Sequence, residues 1–452
     1  CKHIINSLIM DLKDKLNRLR KEREARSRTL TVRETWDKLQ ADDSLSTREK
    51  LEELIRLTQQ QKPAPPAVQP PSQEKQSQEP FRIFENTYAL NTRYGQIEIA
   101  AGLRVDGRVL SCLSQEQAFE ELDLRSALFL DLETTGLSGG TGVVPFLVGL
   151  GFYLDDSFRI VQFFLGDLAE EERMIGELAR FFREMDFQFV VTYNGKAFDL
   201  PLLETRFILY RNPFHLAALP HLDFLFPARS LWKHKLESCR LFHLAREIVL
   251  TDRAEDIPSA EIPWRYFQYL RSGNFGLVEP IIYHNEEDIL SLLGVVIAGA
   301  AVIAEDESFC PVDAMDFFGA GKIFERTGDV EKSVDFFQRA LNGRLTDEVS
   351  LEARRRLSLY FKRSGELDKA VPLWQEMASS LPVTNHVLFS LRELAMYFEH
   401  RLKDYEQAKQ VAEEGFVLAR EISSSYYLRD FDYRLARLQK KSAKSKKDNS
   451  AG

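Results

Sequence analysis

The chain has 452 residues, 44% of them hydrophobic and 29% charged, with a formal net charge of −9. That balance describes an ordinary globular protein of two or three domains and excludes a disordered or fibrous chain. No apolar run reaches the ~20 residues that span a bilayer, no secretory signal follows Cys1, and Cys1, Cys112, Cys239 and Cys310 lack zinc-site spacing; a cytoplasmic protein without a membrane partner is expected.

Residues 1–60 carry Ile5, Leu8, Leu12, Leu16 and Leu19 at helical spacing, which predicts an amphipathic or short coiled-coil segment. Residues 61–80 are rich in Pro, Gln and Ser and read as a flexible linker. Over 81–125 the segments 94–99 and 105–110, the latter around Asp106-Gly107, predict a small antiparallel element leading into the core. Within 126–304, apolar segments at 128–132, 146–153 and 159–165 predict a three-strand meander. A helix over 170–182, a strand over 187–192, a helix from Asp199 to about Tyr210 and a short strand near 221–224 complete a mixed sheet flanked by helices, an α/β domain. The stretch 290–303 contains Gly294 and Gly299 and reads as a buried helix.

Three short patterns carry chemistry. Asp131 and Glu133 close the apolar run 127–130. Residues two apart on a strand point to one side, so both carboxylates converge there. Such a pair is costly unless a cation neutralises it, and all-oxygen ligands suit a hard divalent ion. An edge strand with its acids in water would have the same local sequence. Asp199 starts a helix behind Tyr193-Asn194-Gly195-Lys196-Ala197-Phe198, where Asp is also a favoured N-cap. His284 and Asp288 lie four apart at the head of the long apolar helix and share a face. The Gly-rich loop 138–142 behind Glu133 could approach a phosphate but lacks the P-loop lysine.

Asp-x-Glu, then Asn-x4-Asp within Tyr193–Leu203, then an aromatic-x3-Asp helix, resembles in order and spacing the DEDD exonuclease superfamily. The text around Leu236-Glu237-Ser238-Cys239-Arg240-Leu241 and Arg253-x2-Glu255-Asp256-Ile257-Pro258 resembles a bacterial group of that kind, the YprB type, whose members often carry tetratricopeptide repeats. The resemblance implies an RNase H-like fold and hydrolysis of DNA or RNA from a single-stranded 3′ end. It implies two Mg²⁺ or Mn²⁺ ions roughly 4 Å apart, held by Asp131, Glu133, Asp199 and Asp288, with Thr134 and Asn194 on the substrate. The third motif departs from the pattern. The superfamily offers Tyr-x3-Asp or His-x4-Asp, whereas here His284 has the three-residue spacing and Tyr283 the four-residue spacing. His284, one helical turn from Asp288, is the better general base, with Tyr283 the other candidate.

Beyond Pro311 the segment Ile323–Val334 recurs at 360–371 and, less faithfully, at 397–408. The spacing predicts tetratricopeptide-like helix pairs over 313–438, a surface suited to a protein partner. Basic residues cluster at 13–28 and in the tail 439–452, which is expected to be disordered. Two other functions fit the same residues: a non-catalytic nucleic-acid-binding scaffold and a structure-specific endonuclease.

Overall fold

The computed structural model describes residues 81–136, 142–253, 257–306 and 312–450. The helical segment 1–60, the linker 61–80, most of the loop 138–142, and Glu255 and Asp256 lie outside the described residues.

A six-stranded mixed sheet organises the first half of the described chain. Its strands are β1 (Phe81–Ala89), β4 (Ala127–Thr134), β5 (Pro145–Leu154), β6 (Ser157–Leu165), β7 (Phe189–Thr192) and β8 (His221–Asp223), in the order β1-β6-β5-β4-β7-β8. β1, β6, β5 and β4 pair antiparallel, and β7 and β8 add parallel to β4. The meander and the two later strands lie where the apolar runs put them. β1 does not: it pairs along its whole length with β6, so the segment after residue 81 belongs to the main sheet and not only to a small leading element.

Strand alternation gives the sheet two faces. On β4, Ala127 and Phe129 enter one core, while Leu128, Leu130 and Leu132 enter the other. The second face is covered by α2 (Glu171–Glu184), α3 (Asp199–Leu209) and α6 (Glu261–Ser272). The first is covered by α1 (Gly107–Ser114), α4 (Leu225–Trp232), α5 (Leu241–Glu247) and α7 (Glu279–Ala304). By length and composition α7 could cross a membrane, yet 83% of its apolar window is buried within the fold. It descends close to β5 because Gly149 and Gly151 present no side chain there. A Cβ at Gly151 would lie 2.4 Å from Ile289 Cγ2.

The expected strand over 105–110 is instead the start of α1. Asp106 caps the helix by accepting from the Arg108 amide at 2.8 Å. Asp-Gly serves a hairpin turn and a helix start equally well, and Gly107 fits here because a Cβ would meet the carbonyls of Glu120, Leu122 and Phe119. Only β2 (Arg93–Tyr94) and β3 (Ile97–Glu98) form the small hairpin, turning at Gly95 with φ +58.

From Ala314 onward the described chain is helical: α8 (Ala314–Thr327), α9 (Val330–Leu341), α10 (Asp347–Ser364), α11 (Leu367–Ala378), α12 (Asn385–Tyr397), α13 (Tyr405–Glu421) and α14 (Ser425–Ser450). α8 and α10 each end on a left-handed glycine, Gly328 and Gly365. The third junction uses a π turn over Phe398–Leu402 and left-handed Lys403, which is why its sequence matches the other two poorly. The tail expected to be disordered continues α14 as helix to Ser450.

Candidate metal centre

The four acids of the three patterns come together at the carboxyl end of β4. Asp131 and Glu133 share the face of β4 that looks at α7, and the register shifts between Glu133 and Thr134, a bulge that ends the regular ladder there. Asp288 and His284 project from α7 towards them. His284 Nε2 lies 3.2 Å from Asp288 Oδ2 and 3.5 Å from Glu133 Oε1. Ligand atoms of Glu133, His284 and Asp288 all lie within 4.8 Å of one another. Asp199, at the start of α3, lines one cavity of about 250 Å³ with Glu133 and Thr134. Tyr283, one residue before His284, is 58% exposed, and its hydroxyl is influenced chiefly by Glu287. The helix thus turns His284, not Tyr283, to the acids.

Crowding shows in the protonation behaviour. Burial, followed by the charges of Asp288, Glu133 and Asp199, raises Asp131 well above the usual carboxylate range. Burial and the neighbouring Asp223 push Asp199 up to about 7. Four converging carboxyls, two of them, Asp131 and Asp199, held back from ionising, fit one or more divalent cations, and the oxygen-rich donor set with one imidazole suits a hard ion.

Several supporting side chains carry no motif signal. Asn285 donates through Nδ2 to Asp131 Oδ2 at 2.8 Å and to the Asp131 carbonyl at 3.2 Å, while its Oδ1 accepts from Gln162 Nε2 at 2.8 Å. Asp131, Gly149 and Gln162 are opposite one another on β4, β5 and β6, and Asn285 fills the space over the glycine. Asp223 accepts from the amides of Asn194 at 2.7 Å and Lys196 at 3.1 Å, fixing the turn that delivers Asp199. Asn194 itself has φ +69. The Thr134 hydroxyl donates to the Gly136 carbonyl at 2.7 Å, which occupies its proton locally.

Arg253 is the residue that sequence reasoning missed in this role. Its side chain is 4% exposed; Nη1 donates to Asp288 Oδ1 at 2.6 Å and to Ser291 Oγ at 3.2 Å, and Nη2 meets His284 Nδ1 at 3.1 Å. A guanidinium only donates, so His284 Nδ1 must accept, and the neutral ring then carries its proton on Nε2, facing Glu133 and Asp288. A cationic residue thirty-five positions before Asp288, in a loop, leaves no periodic trace that could have marked it.

The RNase H superfamily profile matches residues 128–298, from β4 into α7. The uncharacterised protein YprB of Bacillus subtilis (strain 168) is 33% identical over 334 residues, covering 73% of this chain and 78% of that protein. The chain belongs to the YprB family. In this YprB-family chain the profile takes in all four acids, His284, Asn285 and Arg253, whereas β1 and the whole helical region lie outside it. The mixed sheet with its flanking helices is therefore an RNase H-like domain followed by an all-α region.

Proposed function

We propose that this protein is a metal-dependent nuclease that removes nucleotides from the 3′ end of DNA or RNA. The observation that carries the reading is the gathering of four carboxyls at one end of an RNase H-like sheet, Glu133 and Asp288 clustered with His284 and Asp131 and Asp199 beside them, with Asp131 driven towards its neutral form. Asp131, Glu133, Asp199 and Asp288 would hold Mg²⁺ or Mn²⁺. When bound, such ions supply an activated water and stabilise the charge of the departing oxygen.

The chain's own groups do the rest. Asn285 and Gln162 fix the Asp131 carboxylate, and Asp223 fixes the turn before Asp199. His284 can take a proton from water at Nε2 only as the tautomer protonated on Nδ1, so Nδ1 must first let go of Arg253 and the ring proton must move from Nε2 to Nδ1 by way of solvent. An exonuclease also needs to enclose a terminal base. The cavity beside Glu133 and Asp199 has apolar walls from Leu132, Leu202, Ile262 and Pro263 that suit one. The helical region is read as tetratricopeptide-like and as a surface for a further protein.

The test is cleavage of 5′-labelled single-stranded DNA and RNA by wild-type and Asp131→Asn protein in Mn²⁺, Mg²⁺ or EDTA. A ladder shortening from the 3′ end, metal-dependent and reduced at least ~10³-fold in the variant, is expected from the loss of several kcal/mol of charge stabilisation. Internal cuts would favour an endonuclease. One observation favours a non-catalytic binding protein: Arg253 already gives Asp288 a positive partner. Binding without cleavage in any metal would select that reading.

A further inference from the structure

A net charge of −9 is a poor start for holding a polyphosphate, and the metal centre itself is acidic. Apart from the basic clusters at 13–28 and 439–452, positive charge without ion pairs gathers where the RNase H-like domain meets the helical region. Arg229 and Lys233 lie four apart at the end of α4 and are exposed; Lys322 and Arg326 lie four apart on α8, the first half-buried and the second exposed. The two helices touch closely. A Cβ at Gly319 of α8 would lie 2.4 Å from the Leu231 carbonyl of α4. Across this contact Arg326 Nη1 donates to Ser230 Oγ at 2.6 Å, which sets the two pairs of cations side by side.

Their surroundings separate these four from the other basic residues nearby. Lys235 is neutralised by Asp313 and Asp316, each at 2.9 Å, and Arg356 by Glu325 and Glu352. Among the described residues Arg229, Lys233, Lys322 and Arg326 have no ion-pair partner. They also face one another: Lys322 is held below its ordinary value first by burial, then by Arg356, Arg326 and Lys233. Glu352 acts on Lys322 in the opposite sense, yet none of the four is paired directly, and like charges gathered in this way are unfavourable in the free protein and favourable against an anionic strand.

The strip also starts at the right end of the sheet. Arg229, Lys233 and Lys322 act on the Cys239 thiol, and the Cys239 carbonyl accepts from the hydroxyl of Tyr193, which immediately precedes the turn leading to Asp199. α4 begins two residues after Asp223, whose carboxylate holds that turn.

We propose that Arg229, Lys233, Lys322 and Arg326 form a phosphate-binding strip that carries a nucleic-acid strand from the metal centre across the junction onto the helical region. The helical region would then be part of the substrate site as well as a possible platform for a protein. The inference rests on the nuclease reading for the identity of the ligand.

The experiment uses the full chain carrying Asp131→Asn, in Mg²⁺, with a fluorescent single strand followed by anisotropy over a salt series. Replacing all four cations by Ala should weaken binding roughly 100-fold at low salt and flatten the log–log salt slope by about 3, since each phosphate contact on a single strand contributes about 0.7. Each two-residue variant, Arg229→Ala with Lys233→Ala or Lys322→Ala with Arg326→Ala, should lose about half of that slope change, which keeps the test decisive if the fourfold variant folds poorly. A charge-matched control removes Lys403, Lys409, Arg420 and Arg429 and should leave the slope alone.

An unchanged slope in the strip variants, or an equal loss in the control, overturns the strip while leaving the nuclease reading intact. Binding of polyglutamate that depends on the four cations, with strand binding unaffected, also overturns it in favour of an acidic protein. Failure of the parent protein to bind any strand, together with no cleavage by wild type, removes the nuclease reading and the strip with it.

Discussion

The Arg253 guanidinium pairs with Asp288 and stands where four carboxyls crowd. Removing one member of a buried pair strands the other, at a typical cost of about 3–5 kcal/mol. Arg253→Ala should therefore lose roughly 3 kcal/mol in urea unfolding in the presence of chelator, and saturating Mn²⁺ should restore most of it. A variant as stable as wild type in chelator would mean that Arg253 is not balancing the acids. Gly149 makes a second residue-scale test. A Cβ there would lie 2.1 Å from Asn285 Oδ1, so Gly149→Ala must push Asn285 off Asp131 and Gln162. Overpacking of this kind costs about 1–3 kcal/mol. Cleavage should fall alongside it, and Asn285→Ala, which removes the same contact without the clash, should show the same catalytic loss with a smaller change in unfolding midpoint.

α3 brings Asp199 to the site, and its own placement depends on a buried pair. Arg206 of α3 donates from Nε and Nη2 to the two carboxylate oxygens of Glu171 on α2, and Tyr210 adds a hydrogen bond to Glu171 at 3.0 Å. Glu171→Ala should destabilise the domain by roughly 3–5 kcal/mol, measured by denaturant unfolding, whereas Glu171 and Arg206 replaced together by apolar residues of similar size should cost far less. The elements themselves were largely readable from sequence. β4 through β8, α2, α3 and the buried α7 follow directly from period-two and apolar runs, and the resemblance to the DEDD pattern singled out Asp131, Glu133, Asp199, His284 and Asp288, which the fold brings near one another. What escaped has physical reasons. β1 reads Phe-Arg-Ile-Phe-Glu-Asn-Thr-Tyr-Ala, with Arg82, Glu85 and Asn86 diluting the apolar signal, because one side of it serves polar groups of α7. Asn86 and Tyr88 both donate to Glu286 there. Arg253, Asn285 and Asp223 act through contacts closed by tertiary folding, which no local pattern encodes.

At the scale of the molecule, the junction between sheet domain and helical region carries a titration of its own. His234 donates through Nε2 to the Met315 carbonyl at 2.6 Å, while its Nδ1 is buried without a partner. Burial, helped by Lys322 and Lys235, lowers its pKa from 6.5 to about 4. The folded ring is neutral where the unfolded one would bind a proton, so this contribution is complete above about pH 6.5 and is lost as pH falls to about 4. It amounts to roughly 3 kcal/mol at most. His234→Gln, which keeps a donor for Met315, should flatten the fall in stability over that pH range relative to wild type. Parallel pH profiles for the two proteins would show that His234 does not set it.

Asn285 and Asp131 are 154 residues apart in sequence, and α7 supplies both Asn285 and Asp288. A chain still being synthesised therefore carries Asp131, Glu133 and Asp199 well before the helix that completes their surroundings, while β1 must wait for β6 before it can pair. Nascent chains halted before Glu279 should hold all six strands of the sheet but leave the apolar face that α7 covers exposed. A site built this way is completed only as its core closes, so a partly made copy would carry its acids without the arrangement that lets them work together.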